Sequence, residues 1–369
     1  MNNKGVEQIE FTILGGGVAG LALAGALANR GIFARVVDPA LGDPNTELPV
    51  GMVNPAMGRR AKPGWHGEAC WQALRTRVDG LARWRGVEPP VQDGGILRPA
   101  LTEKRESLYR ESLEKYDWTR EQMEWLTPEE VARRYPHLPA VKGALLVKHG
   151  YSIHVRDYLS LYRDWLREQG VDFRTETGSY DWTPGEKTVM VRLNRGESFR
   201  TNRLIVATGA SSGTLPGWNT LPLHLVKGEM VRYRSSVPLP WKTTIAGGGF
   251  VVRRGKQEII TGSNYNHNAA DTTPSVGARK RIETKLAELL PGLVPSLEWV
   301  DQWAGFRITT PDRFPVVGLH PEWPSLGIFS GLNSRGLLFS EWIGELLVRQ
   351  LLDGEDLPED IRADRFFNP

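Results

Sequence analysis

The sequence contains a single cysteine among 369 residues, and it has no long apolar run. Cys70 alone cannot form an internal disulfide or a multi-cysteine metal site, and no metal-ligand spacing is present elsewhere. No apolar stretch approaches the roughly 18 residues that span a bilayer, and the first residues lack the apolar core of a secretion signal. The formal net charge of +3 does not by itself demand a nucleic-acid partner. We therefore expect a cytoplasmic protein without a metal or a membrane span.

The length and composition are those of an ordinary globular protein. Charged residues make up 24% and hydrophobic residues 40% of the chain. A chain of this length is expected to form about two domains with a large core. We find no linker, repeat or low-complexity segment, so any second domain is expected to be inserted into the first.

The first forty residues predict a strand, a glycine turn, a helix and a second strand that ends on an acid. Gly15 permits a tight turn, Gly17 lacks a side chain that would block a pyrophosphate, and Gly20 allows the helix to approach the sheet. The free N–H groups of the helix would face the phosphates. Asp38 ends the second strand, where its carboxylate can accept hydrogen bonds from ribose hydroxyls. An acid there also disfavours the ribose phosphate of NADP.

Further strands follow far from this opening unit. Ser198–Arg200 and Arg203–Thr208 are predicted as separate strands, and a block of antiparallel strands is predicted from Val226 to Ser263. Gly247, Gly248 and Gly249 lie in that block; because no helix follows them, we interpret them as a turn and not as a second nucleotide motif.

The predicted fold class is therefore α/β, with a Rossmann-like nucleotide-binding domain assembled from separated segments and an inserted, largely antiparallel substrate domain. We assign residues 1–60, 150–222 and 312–369 to the nucleotide-binding domain. Residues 61–149 and 223–311 are assigned to the substrate domain.

Five segments of the sequence carry a family resemblance: ILGGGVAGLALAGALANRG, LIVATGAS, VKGE, WAGFRITTPDRFPVVG and FSGLNSRGLLFSEWIGELL. With these segments the chain resembles the D-amino-acid oxidase and glycine oxidase superfamily of FAD-dependent amine oxidases. The resemblance covers essentially the whole chain, and it implies the FAD-binding fold of the glutathione-reductase and p-hydroxybenzoate-hydroxylase type. Within the superfamily, GLNSRGL is most similar to the flavin oxidase domain of the bifunctional tRNA methylaminomethyl-uridine biosynthesis protein.

The resemblance implies that the cofactor is FAD, bound non-covalently, and not NAD. The long glycine- and proline-containing loop after Asp38 supports this independently, because such a loop would be needed to reach the flavin end. The residues implied to contact FAD fall into five groups. They are Gly15, Gly17, Val18, Ala19 and Gly20 around the pyrophosphate; Asp38 at the ribose; Gly51, Met52 and Val53 beside the isoalloxazine; Thr208 and Gly209 near the adenine half; and Gly331, Leu332, Asn333, Ser334, Arg335, Gly336 and Leu337 facing the flavin carbonyls.

Arginines are the candidates for substrate binding, since a planar guanidinium can hold a carboxylate through two hydrogen bonds. Arg307 lies where the resemblance places the carboxylate-binding arginine, although a surface arginine at a strand end would look the same. Arg335 is assigned either to the flavin and its chemistry or to a structural pair. Arg59 and Arg60 would face substrate or form a solvated turn, whereas Lys227 is expected to be structural.

These features favour an enzyme that oxidises a C–N bond of an amino acid or N-substituted glycine by hydride transfer to flavin. Three alternatives remain open at this stage: an oxidase acting on carboxymethylaminomethyl-uridine in tRNA, a 2-hydroxy-acid dehydrogenase, and a non-catalytic flavin-binding protein. A tRNA partner would require the basic clusters at 59–62, 253–256 and 279–281 to share one face. We expect these clusters to be scattered. The oligomeric state is not predicted.

Overall fold

The computed structural model describes residues 7–41, 49–175, 178–194 and 196–367. Part of the turn-rich stretch that follows Asp38, together with both ends of the chain, lies outside these residues. No helix in the described part is long and apolar enough to cross a bilayer.

The described residues form strands and helices along the whole chain, with several runs of consecutive strands. Its strands are β1 Gln8–Leu14, β2 Arg35–Val37, β3 Val50–Val53, β4 Ala56–Met57, β5 Lys62–Pro63, β6 Val91–Gln92, β7 Ile96–Pro99, β8 Met123–Leu126, β9 Ala144–Val147, β10 Tyr151–His154, β11 Asp172–Arg174, β12 Tyr180–Pro184, β13 Val189–Leu193, β14 Ser198–Val206, β15 His224–Ser235, β16 Thr244–Ala246, β17 Phe250–Arg254, β18 Glu258–Gly262, β19 Leu297–Thr309, β20 Val316–Leu319 and β21 Leu326–Ser330. Its α-helices are α1 Val18–Asn29, α2 Gly67–Arg85, α3 Glu103–Lys115, α4 Pro128–Arg134, α5 Val155–Glu168, α6 Val276–Leu289 and α7 Gly336–Asp353. Short 3₁₀ helices occupy Gly209–Thr214, Val294–Ser296, Glu359–Ile361 and Ala363–Phe366.

The first large sheet has a parallel centre in the order β11-β2-β1-β14-β21. The paired ends of its three central strands are apolar and buried, at Ile13 and Leu14, Leu204 to Val206, and Leu326 to Phe329, as expected for strands covered on both faces. β20 pairs antiparallel with β21 at one edge. The first half of β14 pairs antiparallel with β13, which forms a hairpin with β12. Its strands come from three separated parts of the sequence, so the predicted α/β fold is confirmed.

Parallel pairing brings the ends of three strands to one edge of this sheet. Leu14 on β1 lies opposite Val206 on β14, which in turn lies opposite Ile328 on β21. The turns that follow these residues therefore emerge side by side, although they are far apart in sequence. This edge is where open α/β sheets bind nucleotides.

The second large sheet has the order β19-β15-β18-β17-β16-β7-β9-β8. All its pairings are antiparallel except that between β16 and β7. Its strands come from residues 96–147 and 224–309, which fall within the two segments assigned to the substrate domain. The exact domain boundaries stay a prediction.

Two local predictions can be compared directly with the elements. The Gly247–Gly249 stretch connects β16 to β17 as a turn, as predicted. The prediction of two separate strands at Ser198–Arg200 and Arg203–Thr208 was wrong, because both belong to the continuous strand β14. This strand is long because its first half pairs with β13 and its second half with β21. The polar residues between the halves signalled a break that tertiary pairing overrides.

Candidate functional site

The glycine turn after β1 has the shape that its sequence predicts. Gly15 has φ +102°, and a Cβ there would lie 2.4 Å from the carbonyl oxygen of Ala207. A Cβ on Gly20 would lie 1.8 Å from the Gly15 oxygen, so the start of α1 packs directly on the turn. A Cβ on Gly17, in contrast, would meet no protein atom within 4 Å. The space beside Gly17 is therefore open to a ligand.

The N-terminus of α1 faces that open space without a capping side chain. Gly17 is its exposed N-cap residue, and the first turn, which begins with Val18 and Ala19, contains no acidic side chain. The N–H groups of this turn have no intrahelical acceptors, and they carry the positive end of the helix dipole. Such a helix start is suited to a pyrophosphate.

Asp38 lies beside this turn, at the end of β2. One carboxylate oxygen accepts a hydrogen bond from the Gly16 N–H at 2.7 Å, and the other accepts from the Ala40 N–H at 2.9 Å. Each oxygen retains a second acceptor position. The two backbone bonds thus fix the orientation of a carboxylate that is available to ribose hydroxyls.

The residues predicted to face the flavin lie on two segments that contact each other. Gly51, Met52 and Val53 belong to β3, and Leu337 belongs to the first turn of α7. A Cβ on Gly51 would lie 2.0 Å from Leu337 Cδ1, which shows how closely the two segments approach. The segment of Gly331 to Leu337 leaves β21 at the nucleotide-binding edge.

The loop between β21 and α7 is held in a defined conformation. Gly331 has φ +67° and Asn333 has φ +56°. The Asn333 side chain donates hydrogen bonds to the Gly331 and Arg313 carbonyl oxygens at 2.8 and 3.1 Å. Its backbone N–H donates to the Ile308 oxygen at 3.0 Å, which joins this loop to β19. Leu332 and Gly336 are half-buried, whereas Ser334 is exposed.

Thr208 and Gly209 follow β14 at the same sheet edge. Gly209 has φ +57° and begins the 3₁₀ helix, and the Thr208 hydroxyl lies 3.3 Å from that of Ser212. The structure therefore brings the predicted cofactor residues of β1, β14 and β21 together at one edge, and it brings β3 to the start of α7.

Arg307 lies on β19 in a cradle of neutral groups. Its guanidinium donates hydrogen bonds to the Ser263 hydroxyl at 2.6 Å and to the Asn264 carbonyl oxygen at 3.3 Å. The Tyr265 ring lies 4.5 Å from its Cζ atom. The Arg307 guanidinium lies so close to Gly228 on β15 that a Cβ on Gly228 would be 2.3 Å from both terminal nitrogens of Arg307.

No carboxylate of the described residues forms a salt bridge with Arg307. Burial lowers the pKa of the Arg307 guanidinium, and the nearby Tyr265 hydroxyl acts in the opposite direction. A largely buried cation without an acidic partner is costly unless an anion completes the site. This environment favours a ligand-binding arginine over the alternative of a solvated strand end.

Lys227 and Glu229 form a buried structural network on β15. Lys227 donates a hydrogen bond to the Thr273 carbonyl oxygen and lies 3.9 Å from Glu229. The Glu229 carboxylate accepts from the Ser275 N–H at 2.8 Å and from the Gln302 amide at 2.7 Å. These bonds fasten the segment after β18, which carries the Arg307 partners, to the sheet. Lys227 therefore has the structural environment that the sequence favoured.

Arg335 directly precedes α7 and is half-buried, whereas Arg59 and Arg60 are exposed. The Arg335 guanidinium donates to the Met57 sulfur at 3.6 Å and to the Arg313 carbonyl oxygen. Burial lowers the pKa of Arg335, and the charge of Arg313 lowers it further. Arg59 and Arg60 lie on the turn of the β4–β5 hairpin, a solvated position.

Cys70 is buried in α2, and burial raises the pKa of its thiol to about 12. Since a thiolate is the reactive form of cysteine, this thiol is poorly suited to covalent flavin attachment.

Several residues around the candidate substrate site were not predicted from the sequence. Gly228 was noticed only as part of VKGE, and Ser263, Asn264 and Tyr265 were not considered. The available signal was the GSNY sequence after a predicted strand, which places polar groups at a strand end. Arg313 was noticed only as part of the WAGFRITTPDRFPVVG motif, because nothing in the sequence shows that it contacts Arg335.

The residues present fit FAD. The open space at Gly17, the uncapped helix start and the oriented Asp38 carboxylate suit its adenosine diphosphate half. The β3–α7 contact and the fixed loop after β21 would hold the flavin half. When bound, FAD supplies two-electron oxidation chemistry, and the protein contributes binding and orientation.

The parallel sheet, its glycine turn and the acid at the end of β2 define a dinucleotide-binding protein. Comparison with known proteins specifies the class: the chain belongs to the FAD dependent oxidoreductase (DAO) family, whose model matches residues 10–350. It is an FAD-dependent oxidoreductase.

Named relatives match the chain over nearly its whole length at about one quarter identity. It is 26% identical to glycine oxidase of Geobacillus kaustophilus over 371 residues, with 96% of each chain covered. It is 25% identical to the tRNA 5-methylaminomethyl-2-thiouridine biosynthesis bifunctional protein MnmC of Idiomarina loihiensis, covering 94% of this chain but 56% of that protein. The crystal structure of the Geobacillus kaustophilus glycine oxidase superposes with a TM-score of 0.84 at 23% identity, over 95% of this chain and 96% of that one. The structural match supports the same fold.

Proposed function

We propose that this enzyme oxidises the C–N bond of a small amino acid or N-substituted glycine, with Arg307 binding the substrate carboxylate. The observation that carries the proposal is the largely buried Arg307 guanidinium, which has neutral partners and no acid among the described residues. The relatives named glycine oxidase support the same substrate class.

The proposed roles follow from the cradle around Arg307. The Ser263 hydroxyl and the Asn264 carbonyl use two of the five guanidinium N–H groups. The remaining donors would bind the carboxylate, and the exposed Tyr265 ring would cover the pair from solvent. Holding the carboxylate in this way would orient the carbon next to the amine nitrogen for oxidation.

The test is anaerobic reduction of the bound flavin, followed as loss of its visible absorbance. Sarcosine, glycine and both enantiomers of alanine are compared with glycolate, which tests the 2-hydroxy-acid alternative. Arg307→Ala should keep FAD but bind carboxylate substrates more weakly by roughly 2–5 kcal/mol.

An amine without a carboxylate provides the matched control. If Arg307 binds the carboxylate, N-methylethylamine should be a poor substrate, and Arg307→Ala should not weaken its binding further. Equal losses for sarcosine and N-methylethylamine would contradict the assigned role, as would unchanged sarcosine affinity.

A second candidate function, oxidation of a modified uridine in tRNA, is favoured by a basic patch. The patch consists of the exposed Arg59, Arg60, Lys62 and Lys104 with the half-buried Arg105. Among the described residues, none of these cations is in a salt bridge. The hairpin and α3 are joined by hydrogen bonds from Arg105 Nη1 to the Arg59 oxygen, at 3.5 Å, and from Ser112 to the Ala61 oxygen, at 2.8 Å.

The three basic clusters at 59–62, 253–256 and 279–281 lie on separate elements. The patch is therefore formed by the β4–β5 hairpin together with α3, and does not require the three clusters to share one face. A tRNA gel shift at several salt concentrations tests this second function. Substitution of Arg59 and Arg60 by Glu should weaken tRNA binding. It should also lower the slope of log affinity against log salt concentration by about one for each phosphate contact that is lost. Arg192→Glu, at an exposed position on β13, is the control. Equal tRNA affinity of all variants would exclude this function for the patch.

A further inference from the structure

A second guanidinium lies near the cofactor loop without an acidic partner among the described residues. Arg335 packs on the Phe339 ring, with 4.8 Å between its Cζ atom and the ring centroid. Its two hydrogen-bond acceptors, the Met57 sulfur and the Arg313 carbonyl oxygen, are neutral. The side chain is thus held in place while its charge is not neutralised.

Arg313 supplies a second cation on a neighbouring residue, since its own carbonyl oxygen accepts the hydrogen bond from Arg335. Arg313 is exposed, and the described residues offer its guanidinium no hydrogen bond or ion pair. The neighbouring Asp312 is already bound by Arg365 at 2.9 Å. The charge of Arg313, after burial, is the next largest cause of the lowered pKa of Arg335. Like charges on two residues that contact each other repel, and an anion bound by both would offset that repulsion.

This pair is separate from the Arg307 cradle but adjoins it. The hydrogen bond from Asn333 to the Ile308 oxygen, 3.0 Å long, connects the loop before Arg335 to the strand of Arg307. Ser263 and Asn264 hold Arg307, whereas neither contacts Arg335 or Arg313 through a hydrogen bond. Two guanidinium sites therefore lie on adjoining segments, one half-buried at α7 and one on β19.

We infer that Arg335 and Arg313 form a second oxyanion subsite, which binds a carboxylate or phosphate on the N-substituent of the substrate. The inference rests on the proposed function, in which Arg307 takes the glycine carboxylate. Guanidinium groups bind both kinds of oxyanion through paired hydrogen bonds, and the exposed Arg313 opens the subsite to a substituent that extends into solvent. The preferred substrate is accordingly an N-substituted glycine with a second negative charge.

The decisive variant is Arg313→Asn, which removes the charge and leaves Arg335 and the flavin loop in place. Arg313 has φ +64°, a conformation that asparagine tolerates better than most residues. In the holoenzyme, kcat/KM is measured for iminodiacetate, which has two carboxylates, and for sarcosine, which has one. We expect the iminodiacetate-to-sarcosine ratio to fall about ten-fold or more in Arg313→Asn, as for loss of one charge-assisted contact. A ratio within two-fold of the wild-type value would overturn the inference.

Direct binding separates failure of the subsite from failure of the proposed function. If neither compound reduces the flavin, the proposed function fails, and calorimetry of the holoenzyme with iminodiacetate and with inorganic phosphate then tests the subsite alone. Weaker binding to Arg313→Asn but not to Arg192→Asn supports the subsite, and the anion with the larger loss identifies carboxylate or phosphate as its ligand. Equal binding to both variants and the wild type refutes it.

Discussion

Gly228 offers a way to disturb the Arg307 cradle without altering any charge. It is buried on β15, and a Cβ at this position would lie 2.3 Å from both terminal nitrogens of Arg307 and 2.4 Å from Cζ. Ordinary contacts begin near 3.4 Å. In Gly228→Ala the guanidinium must therefore move by about 1 Å, which breaks its alignment with a bidentate carboxylate.

The expected effect falls on binding and catalysis, with little effect on folding. The clashing atoms are the flexible end of one side chain, so the strand can keep its register while Arg307 moves. A misplacement of about 1 Å is associated with a loss of roughly 100-fold in kcat/KM, which corresponds to about 2.8 kcal/mol. The affinity for FAD should not change, since the glycine turn after β1 is untouched.

The assay compares kcat/KM for sarcosine, the thermal midpoint and the flavin content of Gly228→Ala with those of wild type. Gly80→Ala serves as a control because a Cβ at Gly80, within α2, meets no atom within 4 Å. A Gly228→Ala enzyme with a kcat/KM within two-fold of wild type would refute the placement of substrate beneath Arg307. Loss of FAD together with activity would also contradict it, because the defect would then lie in the cofactor site.

Three further predictions concern the cofactor turn and the core. Gly17→Ala should weaken FAD binding and leave the stability of the apoprotein unchanged, whereas Gly20→Ala should destabilise the apoprotein because its Cβ would lie 1.8 Å from a backbone oxygen. Thermal melts and FAD titrations test this, and the same behaviour of both variants would contradict it. Cys70 should resist thiol reagents at pH 8 in the native state, and rapid labelling of the native protein would contradict its burial. Because the pKa of its thiol is raised to about 12, the free energy of unfolding should fall as pH rises from about 9 to 12, where only the unfolded thiol ionises. Glu341→Ala should lower the free energy of unfolding, measured in urea, by about 3–5 kcal/mol. The substitution removes the carboxylate that accepts a hydrogen bond from the Nε atom of the largely buried Arg77 at 3.1 Å, and a loss below about 1 kcal/mol would contradict this prediction.

The opening nucleotide-binding unit was predictable because its signals are local. The glycine spacing, the apolar helix and the acid at the strand end lie within thirty residues, and each has its own physical requirement. Gly15 needs a positive φ, and Gly20 needs a close approach. The two-part interpretation of β14 failed for the opposite reason: its polar middle is tolerated only because different strands pair with its two halves.

The cradle around Arg307 was only partly predictable. Arg307 itself could be proposed from its motif, but its environment depends on β15, β18 and β19 pairing side by side. Gly228 has no local sign of its importance, because its small size matters only once Arg307 lies across it. Arg313 is likewise unremarkable until the fold brings Arg335 next to it.

Arg98, a buried arginine without an acid among the described residues, shows why a missing partner does not define a binding site. Arg98 is buried on β7, packs on the Tyr109 ring and donates to the Ala56 and Gly58 carbonyl oxygens, which fastens the hairpin after the flavin loop. Arg307 and Arg335 differ because each keeps some exposed surface through which a ligand can reach it, whereas Arg98 is buried. Since both of these groups are cationic, the site would repel amines that lack an anionic group, as well as polyamines. The positive charge of the site, and not the size of the amine, should therefore be the first determinant of substrate choice.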